Sequence, residues 1–193
     1  MNFLTRIVLA GTASLLVPAP AIAQNGSNMS MNVPASDQQF MQKAAQGGMA
    51  EVQLGQLAQQ NAQSPEVKAF GERMVRDHSK ANDELKQLAS QQGVTLPSAP
   101  DEKDQATAQR LSQLHGAAFD KAYMQDMVQD HHKDIADFKK ETSAKDPQLR
   151  QWVVKTLPVL ESHLREAEKV APTVGVQAMG STNTMSESMP MQH

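Results

Sequence analysis

The feature that most constrains this chain is a repeat: Met74-Val75-Arg76-Asp77-His78 returns almost unchanged as Met127-Val128-Gln129-Asp130-His131. In each copy the histidine falls inside an apolar stripe with helical spacing. Val67, Phe70, Met74, His78, Ala81, Leu85 and Leu88 follow one another in steps of three and four, as do Phe119, Tyr123, Met127, His131, Ile135 and Phe138, with Met124 beside them. Such steps keep one face of a 3.6-residue helix, so the imidazole is on the side that packs. Two further segments follow the same rule. Phe40, Ala44, Gly47, Glu51, Leu54 and Ala58 carry a carboxylate in mid-stripe, and Leu149, Trp152, Val153, Thr156, Leu160, His163, Ala167 and Val170 carry a third histidine.

Four amphipathic helices thus each bring one ionisable group to the buried side, near the middle of the helix. Antiparallel packing with short loops places all four at one height. Buried charge without a partner is costly, so such groups are normally paired or metal-bound. Glu51, His78, His131 and His163 are therefore read as one constellation. Three imidazoles and one carboxylate form a common ligand set for a divalent transition metal such as Zn, Cu, Fe or Mn, and hardly suit Mg or Ca. A buried polar network that fixes helix register is the other reading of the same residues.

The expected fold is all-α: an antiparallel four-helix bundle with one long crossover connection and an extra short helix. Aromatic residues make up only 4% of the chain, and helix formers dominate its middle. Ser36 reads as an N-cap for a first helix to Asn61, with Asp37 favouring its dipole; Gly47-Gly48 implies close packing or a bend. Ser64-Pro65 opens a second helix that Gly93 stops near Gln92, and residues 94–100 make the long connection. A short polar helix spans 101–114, and a long one runs from Ala117 to Ser143. Asp146-Pro147 opens the last, which Pro158 should kink.

Outside this domain, at 36–172, the chain reads differently. Arg6, the apolar run Ile7 to Val17 and the small residues of Ala21-Ile22-Ala23 form a secretory signal peptide over 1–23, too short and too proline-broken for a membrane anchor. Residues 24–35 are expected to be a disordered linker and 173–193 a disordered tail. That tail holds Met179, Met185, Met189, Met191 and His193. It is either a soft-metal contact, since thioethers suit Cu(I), or compositional drift. With no cysteine there is neither a disulfide nor a lipid attachment point. The expected location is the periplasm. A net charge of -3 with interspersed signs leaves no footprint for nucleic acid.

Competing chemistries are thin. A di-iron bundle needs Glu-x-x-His pairs, but Val75, Val128 and Leu160 stand three before the seam histidines. No cysteine nucleophile, phosphate loop or serine elbow is present. Met74 and Met127, one turn before two of the histidines, favour copper if a sulfur turns inward. Asp77 and Asp130 precede their histidines by one position and point away from the seam, so solvent is their default. Reoriented, they and Asp134 would accept from imidazole N–H groups. His115 and His132 are expected on the surface.

Residues 37–170 resemble the domain-of-unknown-function 4142 family. The likeness rests on the two Met-Val-x-Asp-His repeats, on Gly116-x-x-Phe119-Asp120-x-x-Tyr123 and on Leu157-Pro158-x-Leu160-x-x-His163. It implies an exported bacterial protein with a ferritin-like fold, often labelled an outer membrane protein, although a helical domain of this kind has no means of inserting as a barrel. Locally, Met124-x-x-Met127 and His131-His132 are similar to motifs of exported four-helix proteins linked to copper. The expected function is periplasmic transition-metal binding or buffering, with a part in envelope stress response. The alternatives are a metal-free envelope interaction module and a metal-dependent oxidoreductase, for which the sequence supplies no substrate channel. No organic cofactor is expected; a homodimer or an envelope protein is the partner left open.

Overall fold

A computed structural model describes residues 33–177. The expected signal peptide, nearly all of the expected linker and the chain beyond 177 lie outside the described residues. Within them the chain is all-helical: α1 (Ala35–Asn61), α2 (Pro65–Gln92), α3 (Glu102–Ser112), α4 (Gly116–Glu141), α5 (Pro147–Val170) and a short 3-10 turn at Ala171–Val174.

Most helix ends follow the expected chemistry. Ser64 accepts from the Val67 N–H and Asp146 from the Leu149 N–H, each with proline next in the chain, and Gly93 closes α2 at φ 69°. Ser36 does not cap α1, contrary to expectation. The helix begins earlier, on Pro34, whose carbonyl accepts from the Gln38 N–H. The expected stripe of α1 is buried at Phe40, Glu51, Leu54 and Ala58 but slips by one residue between them, where Ala45 and Gly48 are buried and Ala44 and Gly47 only partly so. α5 continues through Pro158. The carbonyl of Val154, which proline deprives of its usual donor, belongs to an exposed residue and so has water available.

Three buried aspartates tie the helix ends together. Asp37 at the start of α1 accepts from the Asp146 N–H at 2.7 Å, and Asp146 also accepts from the Gln92 side chain at 2.9 Å. At the other end, Asp120 on the first turn of α4 accepts from the N–H groups of Gln63 and Ser64, at 3.0 and 2.8 Å. These ties set the directions. α1 and α5 start at one end, α4 starts at the other, and each pair of neighbours (α1/α2, α2/α5, α4/α5 and α1/α4) runs antiparallel. α3 belongs to the long connection between α2 and α4. It lies on α1, and its Ala108 and Leu111 fill the groove between α1 and α4 at one end.

The interior divides into two apolar clusters. One gathers Phe40, Met41, Leu85, Phe138, Trp152 and Val153; the other gathers Phe70, Met74, Leu111, Phe119, Tyr123 and Met127. On every long helix the single seam residue Glu51, His78, His131 or His163 falls between the part that serves one cluster and the part that serves the other.

α1 and α2 approach closely because they meet at glycines. A Cβ on Gly55 would stand 2.6 Å from the Gly71 carbonyl oxygen, and one on Gly71 would stand 2.6 Å from the Ala58 Cβ. Gly47 differs, since a Cβ there meets nothing within 4 Å. Opposite outcomes are therefore expected in urea denaturation. Gly47→Ala should stabilise the fold by about 0.5–1 kcal/mol through helix propensity. Gly55→Ala should destabilise it by about 1–3 kcal/mol through overpacking. Equal signs for the two would contradict the packing described.

Candidate metal centre

All four seam side chains are buried, none more than 7% exposed. The structure brings three of them together: one ring nitrogen from each of His78, His131 and His163 lies within 4.8 Å of the other two. The rings do not stack, for their centroids stand 5.3 to 6.0 Å apart at interplanar angles of 40° to 80°. The arrangement faces nitrogens, not ring planes, toward a common point.

The hydrogen bonds decide where the protons are. His131 Nδ1 lies 2.9 Å from the Met127 carbonyl oxygen, which can only accept, so this nitrogen carries the hydrogen. His163 Nε2 lies 2.9 Å from a carboxylate oxygen of Asp77 and likewise donates. In the neutral rings the remaining nitrogens, His131 Nε2 and His163 Nδ1, then bear lone pairs. They stand 3.4 Å apart with no hydrogen of their own to share. His78 brings a third ring to the same place, its Nε2 buried without a hydrogen-bond partner. Two nitrogens bound to one tetrahedral ion at about 2.0–2.1 Å are themselves separated by about 3.4 Å. Donation of the far ring nitrogen to a carboxylate or a backbone carbonyl is also the usual support of a metal-bound histidine.

Asp77 departs from the solvent-facing default and takes the other role open to it, accepting from an imidazole N–H. It points away from its neighbour His78 but into the groove between α2 and α5, where His163 meets it. Arg73 at 3.2 Å and Arg76 at 3.0 Å hold the same carboxylate, and Arg73 also pairs with Glu166 and reaches Ser162 at 2.9 Å. Burial works to raise the Asp77 pKa, but the hydrogen bond from His163 and the two guanidinium groups outweigh it and hold the group below the usual carboxylate range.

Glu51 lies beside the three imidazoles without joining them. Its nearer oxygen is 3.9 Å from His131 Nδ1, the nitrogen already engaged by Met127, and its other oxygen has no partner. Burial first, then the negative charges of Asp134 and Asp130, push its pKa well above the usual range. Burial also depresses all three histidines. His78 falls well below its ordinary value, helped by the charges its two neighbours would carry, and His131 falls to about 3. His163 falls too, although the bond to Asp77 opposes the shift. The trio is thus neutral, the form in which imidazole is a ligand. Met74 and Met127 are fully buried members of the apolar cluster beside the layer. His115 and His132 are exposed, as expected, and His132 pairs with Glu168 at 3.2 Å.

A cleft of about 500 Å³ reaches the layer from the open part of the α1–α4 groove, lined by Glu51 and His78 among others. No periodicity in the chain signals such a passage. Its walls include Asp130 and Asp134, which follow the seam of α4 one position out of phase.

The family described as Domain of unknown function (DUF4142) matches residues 21–170. Among solved structures, the chain is similar to a crystal structure of a DUF305 fragment from Deinococcus radiodurans. The TM-score is 0.66 at 13% identity, over 73% of this chain and 98% of that one, a likeness of fold alone. No curated protein matches the sequence.

The burial of neutral imidazoles predicts acid sensitivity in metal-free protein. Unfolded histidines titrate near about 6.5, so below that pH the unfolded chain binds protons that the folded chain refuses. Stability is therefore intact above about pH 6.5 and is lost as pH falls toward the depressed folded values, by at most about 1.4 kcal/mol per pH unit per ring. Glu51, with its raised pKa, acts in the opposite sense, its cost appearing as pH rises and easing in acid. Urea midpoints of chelator-treated protein should fall between about pH 7 and about pH 5, more steeply in Glu51→Gln and less steeply in His163→Gln. Identical slopes in all three would count against the buried neutral trio.

Proposed function

The chain belongs to that family of unknown function, and we propose that it is a periplasmic protein that binds or buffers a transition metal through His78, His131 and His163. The four long helices are read as a ferritin-like antiparallel bundle with one long crossover carrying α3, a reading supported by the ties between their ends. The observation that carries the metal reading is the 3.4 Å separation of His131 Nε2 and His163 Nδ1, each lone-paired because its other ring nitrogen donates elsewhere. A cation between them replaces a repulsion with two bonds.

The ligand set suits Zn, Cu or Fe. Nitrogen donors dominate, and the methionine sulfurs belong to the apolar cluster. Glu51 is the fourth ligand of the proposal; it turns toward the ion on binding and gives up its proton. Its free oxygen and the partnerless His78 Nε2 both gain a partner by this step. Periplasmic location rests on the leader sequence, and a part in envelope stress follows if the ion bound there is one that must be kept low or kept ready.

A second reading is a metal-free interaction module whose polar layer sets helix register. It draws on the bonds that fix two of the rings, from His163 to Asp77 and from His131 to the Met127 carbonyl. Metal analysis of protein purified without added metal separates the two. Wild type should hold about one ion per chain, and His78→Ala and His163→Ala should lose it. Added Zn at about 100-fold over Kd should stabilise wild type by about 2.7 kcal/mol and leave the variants unmoved. Equal metal content in all three proteins would favour the interaction module.

A further inference from the structure

The two sides of the polar layer carry opposite charge. On the α2–α5 side Arg73 and Arg76 close over Asp77, so an approaching cation meets guanidinium groups. On the α1–α4 side lies the cleft, walled by seven carboxyl groups against four lysines. Lys140 is held by Asp137 at 2.8 Å, and Lys133 by Asp134 and Asp137 at 3.4 and 3.7 Å. Asp104 and Asp130 have no ion pair among the described residues. The floor of the cleft is formed by Glu51 and His78, not by His131 or His163. Glu51, only 4% exposed, keeps an oxygen without a partner there, and so does His78 a nitrogen.

We infer that the open α1–α4 cleft is the route by which a divalent cation reaches the three histidines, with Asp104, Asp130 and Asp134 drawing it in and Glu51 handing it to His78. This rests on the metal reading above. The carboxylates of α4 recur at 126, 130, 134 and 137, spacings of four, four and three that keep one side of the helix along the groove. Asp126 is taken by Arg110 of α3. The next two remain on the cleft wall, and Asp104 lies on α3 at the same opening. A concave, low-dielectric wall with an excess of negative charge concentrates cations and raises their rate of arrival, an effect that weakens with salt. Once at the floor, the ion exchanges water for the free Glu51 oxygen and then for the imidazoles. Glu51 releases its proton to water as it binds, and His131 Nε2 and His163 Nδ1 carry no hydrogen.

Stopped-flow binding of Co(II), followed by its ligand-field absorbance, tests the route. In Asp104→Asn/Asp130→Asn the association rate at low salt should fall about fivefold or more, with dissociation changed less than about twofold, and the salt dependence should flatten. Lys103→Gln, on the same rim, should quicken association and guards against misreading a misfolded double variant. Glu51→Gln should slow association while the His-dependent stoichiometry survives. Wild-type rates and salt dependence in all of these variants would overturn the route while leaving the histidine site standing. Absence of a His78-dependent Co(II) band in wild type would overturn both.

Discussion

Three neutral imidazoles gathered at one point, with the hydrogens of His131 and His163 on the wrong side to bond each other, are the constraint on which the rest of this structure depends. An apolar layer at that height would be simpler to build. Each polar atom buried without a partner costs about 1–3 kcal/mol, and the Glu51 carboxyl, the His78 ring and the Tyr123 hydroxyl each have one. Two further buried atoms without a partner, on Gln92 and Trp152, lie away from this layer. What sets the layer apart is that its partnerless atoms, on Glu51 and His78, stand beside two further imidazoles.

The scaffold holds that level from both ends. Asp37, Asp146 and Gln92 join the starts of α1 and α5 to the end of α2, while Asp120 joins the start of α4 to the turn between α1 and α2. The Gly55–Gly71 contact sets the separation of α1 and α2. With both ends pinned, the histidines have little freedom to slide past one another. The apolar clusters above and below deny water to the rings, which keeps them neutral and available as ligands. Two sides remain, one closed by arginines and one open and acidic. Charge on the outer faces thereby acquires a direction relative to the site.

Much of this was legible in the chain. The stripe through His78 and the one through His131 lie on the buried side as their spacing requires, and the stripe of α5 is buried at every position from Leu149 to Val170 that the period selects. The common height followed from the central place of each group in its helix. What the sequence concealed lies between helices. Asp77 is rotated about 100° from His78 on its own helix, and a single helix cannot show that this direction is occupied by α5. The tautomers, the arginine clamp and the acid cleft are all of this kind. Glu51 shows the limit in another way: it reaches the right layer, but its nearer oxygen stands 3.9 Å from a His131 nitrogen that Met127 already holds. Gly55 and Gly71 escaped notice because a helical stripe treats glycine as a gap, whereas close approach makes it a contact.

The central claim is that His78, His131 and His163 bind one metal ion through His131 Nε2, His163 Nδ1 and a nitrogen of His78. X-ray absorption at the zinc edge of loaded protein measures this most directly. The account predicts about three nitrogen scatterers near 2.0–2.1 Å with the outer-shell pattern of imidazole, and at most one further oxygen. A shell of oxygens alone, or a spectrum unchanged when His163 is replaced, would contradict it.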